Sequence, residues 1–333
     1  MSIIRKFIIM KLKEGDIVMI LLNAAAISED LLLPAESTVG QIKSIHRDYI
    51  NILTADGIVT LVRSGMDHIP FGIEVDLAGG WLNTDLKEQQ AVLQLDDAII
   101  VGETLAVQGL QSCPRFSCHS SYDPLTGVVD CLPRLRQLQQ LCNDAGKGGG
   151  IMAYIGQYDA EIFCRRRKPP DLTGARIPRQ VELLVTGILD NKEYLIGEGI
   201  CGLLGVGPGS TPSGDDFLLG FLSGISHVQP VRCQHAAKIM AQHLVQNAPR
   251  LTTFMSIEYI KYGVKGLYHQ RFGEMIRSFG AGVEQEMISK ARNLMQLGHF
   301  SGVDLLVGFV YGGFTALAAG TTTDEKGVAY ENL

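Results

Sequence analysis

The residues best suited to chemistry lie in one stretch rich in glycine, proline, hydroxyl and carboxylate residues, Gly205–Gly224, which reads GVGPGSTPSGDDFLLGFLSG. This order predicts a tight turn followed by the start of a buried helix. Either Ser213 opens the helix in a capping box with Asp216, or Pro212 is its first residue and Thr211 is the cap. In both cases, free backbone N–H groups and the positive end of a helix dipole gather at one point. Such a point suits an anionic ligand.

A second copy of the pattern lies near the C-terminus. Residues 213–224 align without gaps on residues 301–312, SGDDFLLGFLSG on SGVDLLVGFVYG, with seven of twelve positions identical. Both copies open with Ser-Gly-x-Asp and continue with glycines four apart, a spacing that lets two helix backbones approach closely. We therefore predict that the two helices pack through these glycines and that their capped ends converge on one anion site. The glycines are Gly220, Gly224, Gly308 and Gly312.

Three roles are predicted for the polar residues of the two copies. The anion-binding candidates are Gly207, Gly209, Thr211, Ser213, Gly214, Ser301 and Gly302. The catalytic candidates are His299, Ser213 and Ser301; His299 would shuttle a proton or donate to phosphate, although a structural hydrogen bond explains it equally. Carboxylates only accept hydrogen bonds, so Asp215, Asp216 and Asp304 are predicted either to surround Mg²⁺ or to cap the helices and face away from the ligand.

Length and composition restrict the class of protein. A chain of 333 residues allows two domains, and 46% hydrophobic residues can fill a sizeable core. The net charge of −6 does not indicate the basic surface that nucleic-acid-binding proteins use. Seven scattered cysteines, an odd number, predict reduced thiols in a cytoplasmic protein. The apolar run Leu305–Gly320 is shorter than the roughly 20 residues that span a bilayer, so we expect a buried helix and no membrane contact. No organic cofactor is indicated.

The predicted secondary structure that positions these residues changes from strands to helices along the chain. Asp56-Gly57 stands between two short apolar runs and predicts a β-hairpin. Further strands are expected at 69–73, 98–101 and 104–108. From Leu132 onwards, leucines recur every three residues and predict a helix that stops at the glycine run 146–150, which lacks the spacing of a phosphate-binding P-loop.

Helices are then predicted at 180–189, 193–204, 232–247 and 283–295, and one opens near Thr252. The basic run Arg165–Lys168 is predicted to be a solvated loop, or alternatively a surface that gathers anions. Strands followed by helices indicate an α+β protein. We predict an antiparallel β barrel or sandwich in residues 1–130 and a mainly helical domain in residues 131–333 that carries both Ser-Gly-x-Asp copies.

On these motifs the chain resembles the AllH-like family. Residues 205–221 resemble its G-x-G-x-G-x-T-P-S-G-D-D-x-L-x-G signature, and residues 297–309 resemble its late G-H-x-S-G-x-D motif. Thr253 with Ser256 resembles the Thr/Ser helix start of the family. Ser210 departs from the pattern, since many relatives have leucine there. The resemblance covers most of the chain.

The resemblance implies the third subunit of a bacterial oxamate carbamoyltransferase. Its implied partners are an FdrA-like protein and a further subunit. The implied reaction is the phosphorolysis of oxalurate to oxamate and carbamoyl phosphate, late in anaerobic allantoin breakdown, a part of purine catabolism. Both substrates are small anions, and N–H groups and hydroxyls would stabilise the charge that builds on oxygen. The alternative from another class is a non-catalytic anion-binding or assembly subunit that partners the FdrA-like protein.

Overall fold

The computed structural model describes residues 19–31, 33, 37–120, 131–144, 148–165, 175–228, 230–281 and 283–319. The chain divides into two units, one of residues 1–119 with 268–270 and one of residues 120–267 with 271–333. Three sequence predictions lie wholly or partly outside the described residues: the boundary at residue 130, the start of the glycine run and the basic run beyond Arg165.

The first unit is built from β strands. They are β1 (Ile20–Ser28), β2 (Ser37–Ile45), β3 (Tyr49–Thr54), β4 (Ile58–Arg63), β5 (Gly72–Val75), β6 (Ala91–Leu95), β7 (Ala98–Val101), β8 (Leu105–Gln108) and β9 (Arg115–Phe116). The predicted hairpin at Asp56-Gly57 is confirmed, because β3 and β4 pair antiparallel on either side of it. The 3₁₀ turn Trp81–Asn83 buries its tryptophan completely.

Strand β1 closes eight of these strands into a barrel. The order is β5-β4-β3-β2-β6-β7-β8-β1, and β1 pairs again with β5. Its first half, Ile20–Asn23, runs parallel to β8, and its second half, Ala24–Ile27, runs antiparallel to β5. Strands β4 and β5 are also parallel. The predicted barrel is therefore confirmed, but it is mixed and not antiparallel as predicted, because turn signals alone do not reveal all strand directions.

The second unit is built from helices. They are α1 (Cys131–Asp144), α2 (Met152–Ile155), α3 (Ala160–Arg165), α4 (Arg176–Leu189), α5 (Glu193–Leu203), α6 (Ser213–Val228), α7 (Pro230–Leu251), α8 (Phe254–Gly263), α9 (Gln270–Ala281), α10 (Glu284–Met295) and α11 (Ser301–Ala319). The predicted α+β class is confirmed. Helices α6 and α11 begin at the two serines that open the Ser-Gly-x-Asp copies. Helices α2, α3 and α9 were not predicted.

Helices α6 and α11 form the centre of this unit and are buried along most of their length. A Cβ atom on Gly220 would lie 2.0 Å from the carbonyl oxygen of Leu305, and one on Gly308 would lie 2.1 Å from that of Phe217. The second glycine of each face is nearly as tight, at 2.4 and 2.2 Å from a backbone oxygen. The predicted packing through glycines is thus confirmed.

Helix α11 has the length and apolar composition of a membrane-crossing helix, but 83% of its most apolar window is buried inside the protein. Core helices of globular proteins have the same composition when other elements cover them on all sides. Its apolar character is therefore explained by its central position against α6.

Candidate functional site

The segment before α6, residues 205–212, is named the glycine loop here. Gly205, Gly207 and Gly209 have φ angles of 73°, 112° and 103°, in the region that favours glycine. Residues 207–210 are exposed, and a Cβ atom on Gly209 would have no atom within 4 Å. Within the described residues, the N–H groups of Gly207, Gly209, Ser210 and Thr211 have no hydrogen-bond acceptor. The loop therefore offers several donors to a ligand or to solvent.

The starts of α6, α8 and α11 come together at this loop. The hydroxyl oxygens of Thr211 and Ser301 lie 3.0 Å apart and share a hydrogen bond. Thr253 caps α8 by accepting the N–H of Ser256 at 3.2 Å, and its hydroxyl donates to the carbonyl oxygen of Ser210. The starts of α6 and α11 therefore lie together as predicted, and the start of α8 lies beside them.

Backbone hydrogen bonds tie the glycine loop to the helix before it. The N–H of Val206 donates to the carbonyl oxygen of Leu203 at 3.1 Å, and the N–H of Gly214 donates to that of Val206 at 2.8 Å. A Cβ atom on Gly214 would lie 2.0 Å from the carbonyl oxygen of Leu203. Gly214 is therefore required for close packing, which is a structural role.

The turn before α11 repeats this geometry. The N–H of Leu297 donates to the carbonyl oxygen of Leu294 at 2.8 Å, and the N–H of Gly302 donates to that of Leu297 at 3.1 Å. A Cβ atom on Gly302 would lie 1.9 Å from the carbonyl oxygen of Leu294. The repeat seen in sequence thus extends back into the preceding helix. The copies differ in the length of the connection that joins this turn to the helix. It has five residues, 208–212, before α6 but only two, 299–300, before α11.

The last residue of each Ser-Gly-x-Asp copy interacts with the first residue of the other copy. Burial raises the pKa of Asp216 well above its usual range, while the hydroxyl of Ser301 acts in the opposite direction. Burial likewise raises the pKa of Asp304 to about 6, and the hydroxyl of Ser213 lowers it. Oδ2 of each carboxyl is buried and has no hydrogen-bond partner among the described residues. The serine that opens each helix therefore acts on the buried acid of the other helix.

Two of the three aspartates hold backbone segments in place. Asp215 accepts the N–H of Gly205 at 2.8 Å through Oδ1 and the hydroxyl of Thr252 through Oδ2. Oδ1 of Asp304 accepts the N–H of Ile151 at 2.7 Å. Among the described residues, no group of three or more His, Cys, Asp or Glu is arranged to hold a metal ion. Asp215 and Asp304 therefore bind groups outside their own helix starts, and the metal and capping roles of the three aspartates both stay predictions.

The segment bound by Asp304 was missed from the sequence. A Cβ atom on Gly150, where φ is 61°, would lie 2.5 Å from Oδ1 of Asp304. A Cβ atom on Gly149 would lie 2.0 Å from the ring of Phe300. The glycine run was interpreted only as a helix stop. Its consecutive glycines were the available signal, because such a run also lets a backbone approach other residues closely.

The three predicted catalytic residues occupy different environments. Ser301 is half-buried and contacts Thr211 at the glycine loop. Ser213 is buried and acts on Asp304. His299 is exposed, with its ring 4.1 Å from that of Phe300. Only Ser301 combines access with a contact at the loop; the catalytic roles of all three stay predictions.

Two family models match this chain. The AllH family N-terminal domain matches residues 23–114, which include most of the barrel. The model described as oxamate carbamoyltransferase subunit AllH matches residues 203–313, which include both Ser-Gly-x-Asp copies and the glycine loop. No solved structure matches the chain. The chain therefore belongs to the AllH family and is a subunit of oxamate carbamoyltransferase, a transferase.

Proposed function

We propose that this chain supplies an anion-binding part of the carbamoyl-transfer site, at the glycine loop and the starts of α6, α8 and α11. The proposed reaction is the phosphorolysis of oxalurate to oxamate and carbamoyl phosphate. The observation that carries the proposal is the 3.0 Å contact between the hydroxyls of Thr211 and Ser301 beside exposed, unpaired N–H groups.

Electrostatics supports binding of an anion at the loop. Each helix start carries about half a positive charge, and three such starts meet here. The loop N–H groups and the hydroxyls of Thr211 and Ser301 are neutral donors that suit phosphate or carboxylate oxygens. A charged Asp216 would repel the anion. Its burial raises the pKa of the carboxyl and thereby favours the neutral form, which removes part of that repulsion.

A subunit of oxamate carbamoyltransferase implies other subunits as partners. We propose that these are an FdrA-like protein and a further carbamoyltransferase subunit. We also propose a cytoplasmic location, because all seven cysteines are free thiols in this structure.

A second candidate function rests on the packing roles of the motif. Gly214, Gly302 and Asp215 each have a full structural explanation in close packing or backbone hydrogen bonds. In this alternative, the two copies build the core of a non-catalytic assembly subunit, and the chemistry belongs to its partner chains.

A thermal-shift titration of the assembled enzyme with inorganic phosphate and with carbamoyl phosphate tests the proposal. We expect both anions to raise the melting temperature. Ser210→Glu puts a negative charge on the exposed loop and should abolish the shift. The matched control is Ser289→Glu, the same change at an exposed serine in α10, which should keep it. If neither anion changes the melting temperature of the assembled enzyme, the anion-binding proposal is wrong and the assembly role is supported instead.

Magnesium stays a prediction, and the same titration tests it. If Mg²⁺ takes part in anion binding, the shift produced by phosphate should be larger in Mg²⁺ than in a chelator. Equal shifts in the two conditions would contradict the predicted use of Mg²⁺.

A further inference from the structure

The two buried acids are equivalent in the repeat but differ in what surrounds them. Asp304 is enclosed, because the N–H of Ile151 donates to its Oδ1 and Gly150 packs directly on the carboxyl. The pKa of Asp216 is instead lowered by the hydroxyls of Ser301 and Thr211. Thr211 belongs to the five-residue connection that the second copy lacks, so only the acid of the first copy is linked to the exposed loop.

The two hydroxyls form a short chain beside the buried acid, because they share a hydrogen bond with each other and each lowers the pKa of Asp216. Asp216 is only 6% exposed, and its Oδ2 has no partner among the described residues. The hydroxyl oxygens of Ser301 and Thr211 are 3.0 Å apart, and both residues are half-buried. A hydroxyl can accept one hydrogen bond and donate another, so such a chain can pass a proton without moving the acid.

We propose that Asp216 exchanges a proton with the reacting carbamoyl compound through the hydroxyls of Ser301 and Thr211. This inference rests on the proposed function, since it requires the reactants to bind at the glycine loop. Asp216 then acts as a positioning residue behind the two hydroxyls, and Asp304 remains structural.

The chemistry of carbamoyl transfer needs such a group. An oxygen of hydrogen phosphate attacks the carbamoyl carbon of oxalurate and forms a C–O bond. The C–N bond to the oxamate nitrogen then breaks, and the electron pair stays on that nitrogen. The nitrogen takes a proton from Asp216 through the two hydroxyls, and the proton released by hydrogen phosphate returns to Asp216. The products are carbamoyl phosphate and oxamate, with charge and protons balanced.

The surroundings of Asp216 favour its protonated form. Burial is the largest cause of its raised pKa, the hydroxyl of Ser301 opposes it, and the charges of Asp304 and Asp215 raise the pKa further. The hydroxyl of Thr211 lowers it slightly. The titratable groups that act on Asp216 are thus Asp304 from α11 and Asp215 from its own helix. A carboxyl that keeps its proton nearer to neutral pH is a better acid for catalysis.

The test measures kcat for carbamoyl phosphate formation by the assembled enzyme across pH 5 to 9. We expect kcat of the native enzyme to fall on the alkaline side, where Asp216 loses its proton. Asp216→Asn should lower kcat by about 100-fold or more at low pH and should remove that alkaline limb. Asp304→Asn is the matched control in the other copy and should retain the limb.

A second pair of variants keeps the test open if Asp216→Asn does not fold. Thr211→Val removes the outer hydroxyl and should lower kcat more than it raises KM, whereas Thr211→Ser should restore kcat. An unchanged alkaline limb in Asp216→Asn, or full kcat in Thr211→Val, would overturn the relay. The proposed function would still stand if Ser210→Glu abolished the phosphate shift; it would fail separately if no anion bound.

Discussion

Replacing Gly220 by alanine tests the central helix pair with a single methyl group. The new Cβ atom would lie 2.0 Å from the carbonyl oxygen of Leu305, whereas ordinary contacts begin at 3.4 Å. To restore an ordinary contact the helices would have to separate by roughly 1.4 Å, enough to lose at least a quarter to a half of each contact energy along the seam. Overpacking of this kind costs about 3 kcal/mol, and alanine regains about 1 kcal/mol through helix propensity.

The expected net loss is therefore about 2 kcal/mol of unfolding free energy, or roughly 4–8 °C in melting temperature for a unit of this size. Gly273→Ala in α9 is the matched control, because its nearest atom is the flexible end of Arg277 at 3.3 Å. That variant should gain stability. Calorimetry on both variants decides the matter: a melting temperature of Gly220→Ala at or above that of the native chain would refute the close-packing argument.

Two further predictions concern the enclosed acid. The pKa of Asp304 rises from 3.8 to about 6 on folding, so its contribution to stability is fully present below pH 4 and is lost as pH rises through 6; the loss amounts to about 3 kcal/mol. Asp304→Asn should flatten this decline in stability, as measured by denaturant unfolding between pH 4 and 7. An equal loss of stability in the native protein and in Asp304→Asn would contradict the prediction. Gly150→Ala combines a φ of 61° with a Cβ atom 2.5 Å from Oδ1 of Asp304 and should lower the free energy of unfolding by at least about 1–2 kcal/mol. The new Cβ atom of Gly148→Ala meets no atom within 4 Å, so this control should lose little stability. Equal melting temperatures of the two variants would contradict the prediction.

Local signals were sufficient for the elements that carry the motif. Helices α6 and α11 begin at Ser213 and Ser301, near which the sequence predicts their starts, and the hairpin forms around Asp56-Gly57. Each signal acts within a few residues: a turn residue that permits a special backbone angle, or a polar residue followed by an apolar run. The twelve-residue repeat also predicted which glycines would meet, because both helices present the same small-residue face.

Contacts between distant parts of the chain carried no such signal. Strand β1 closes the barrel by pairing with β8 and β5, and nothing in its sequence predicts that it pairs with these two strands. The same holds for the segment at Gly150, which reaches Asp304 only after the helices have packed.

The sequence by itself determined the AllH resemblance, the two helix starts and the set of polar residues near them, since these depend on short-range backbone chemistry. Only the tertiary structure decided which groups each polar residue acts on. Ser213 and Asp216 belong to one copy, yet each acts on a residue of the other copy, and burial then changes the acidity of the aspartates. Desolvation depends on everything packed around a group, and for that reason the difference between an enclosed Asp304 and a loop-linked Asp216 arises only in the folded chain.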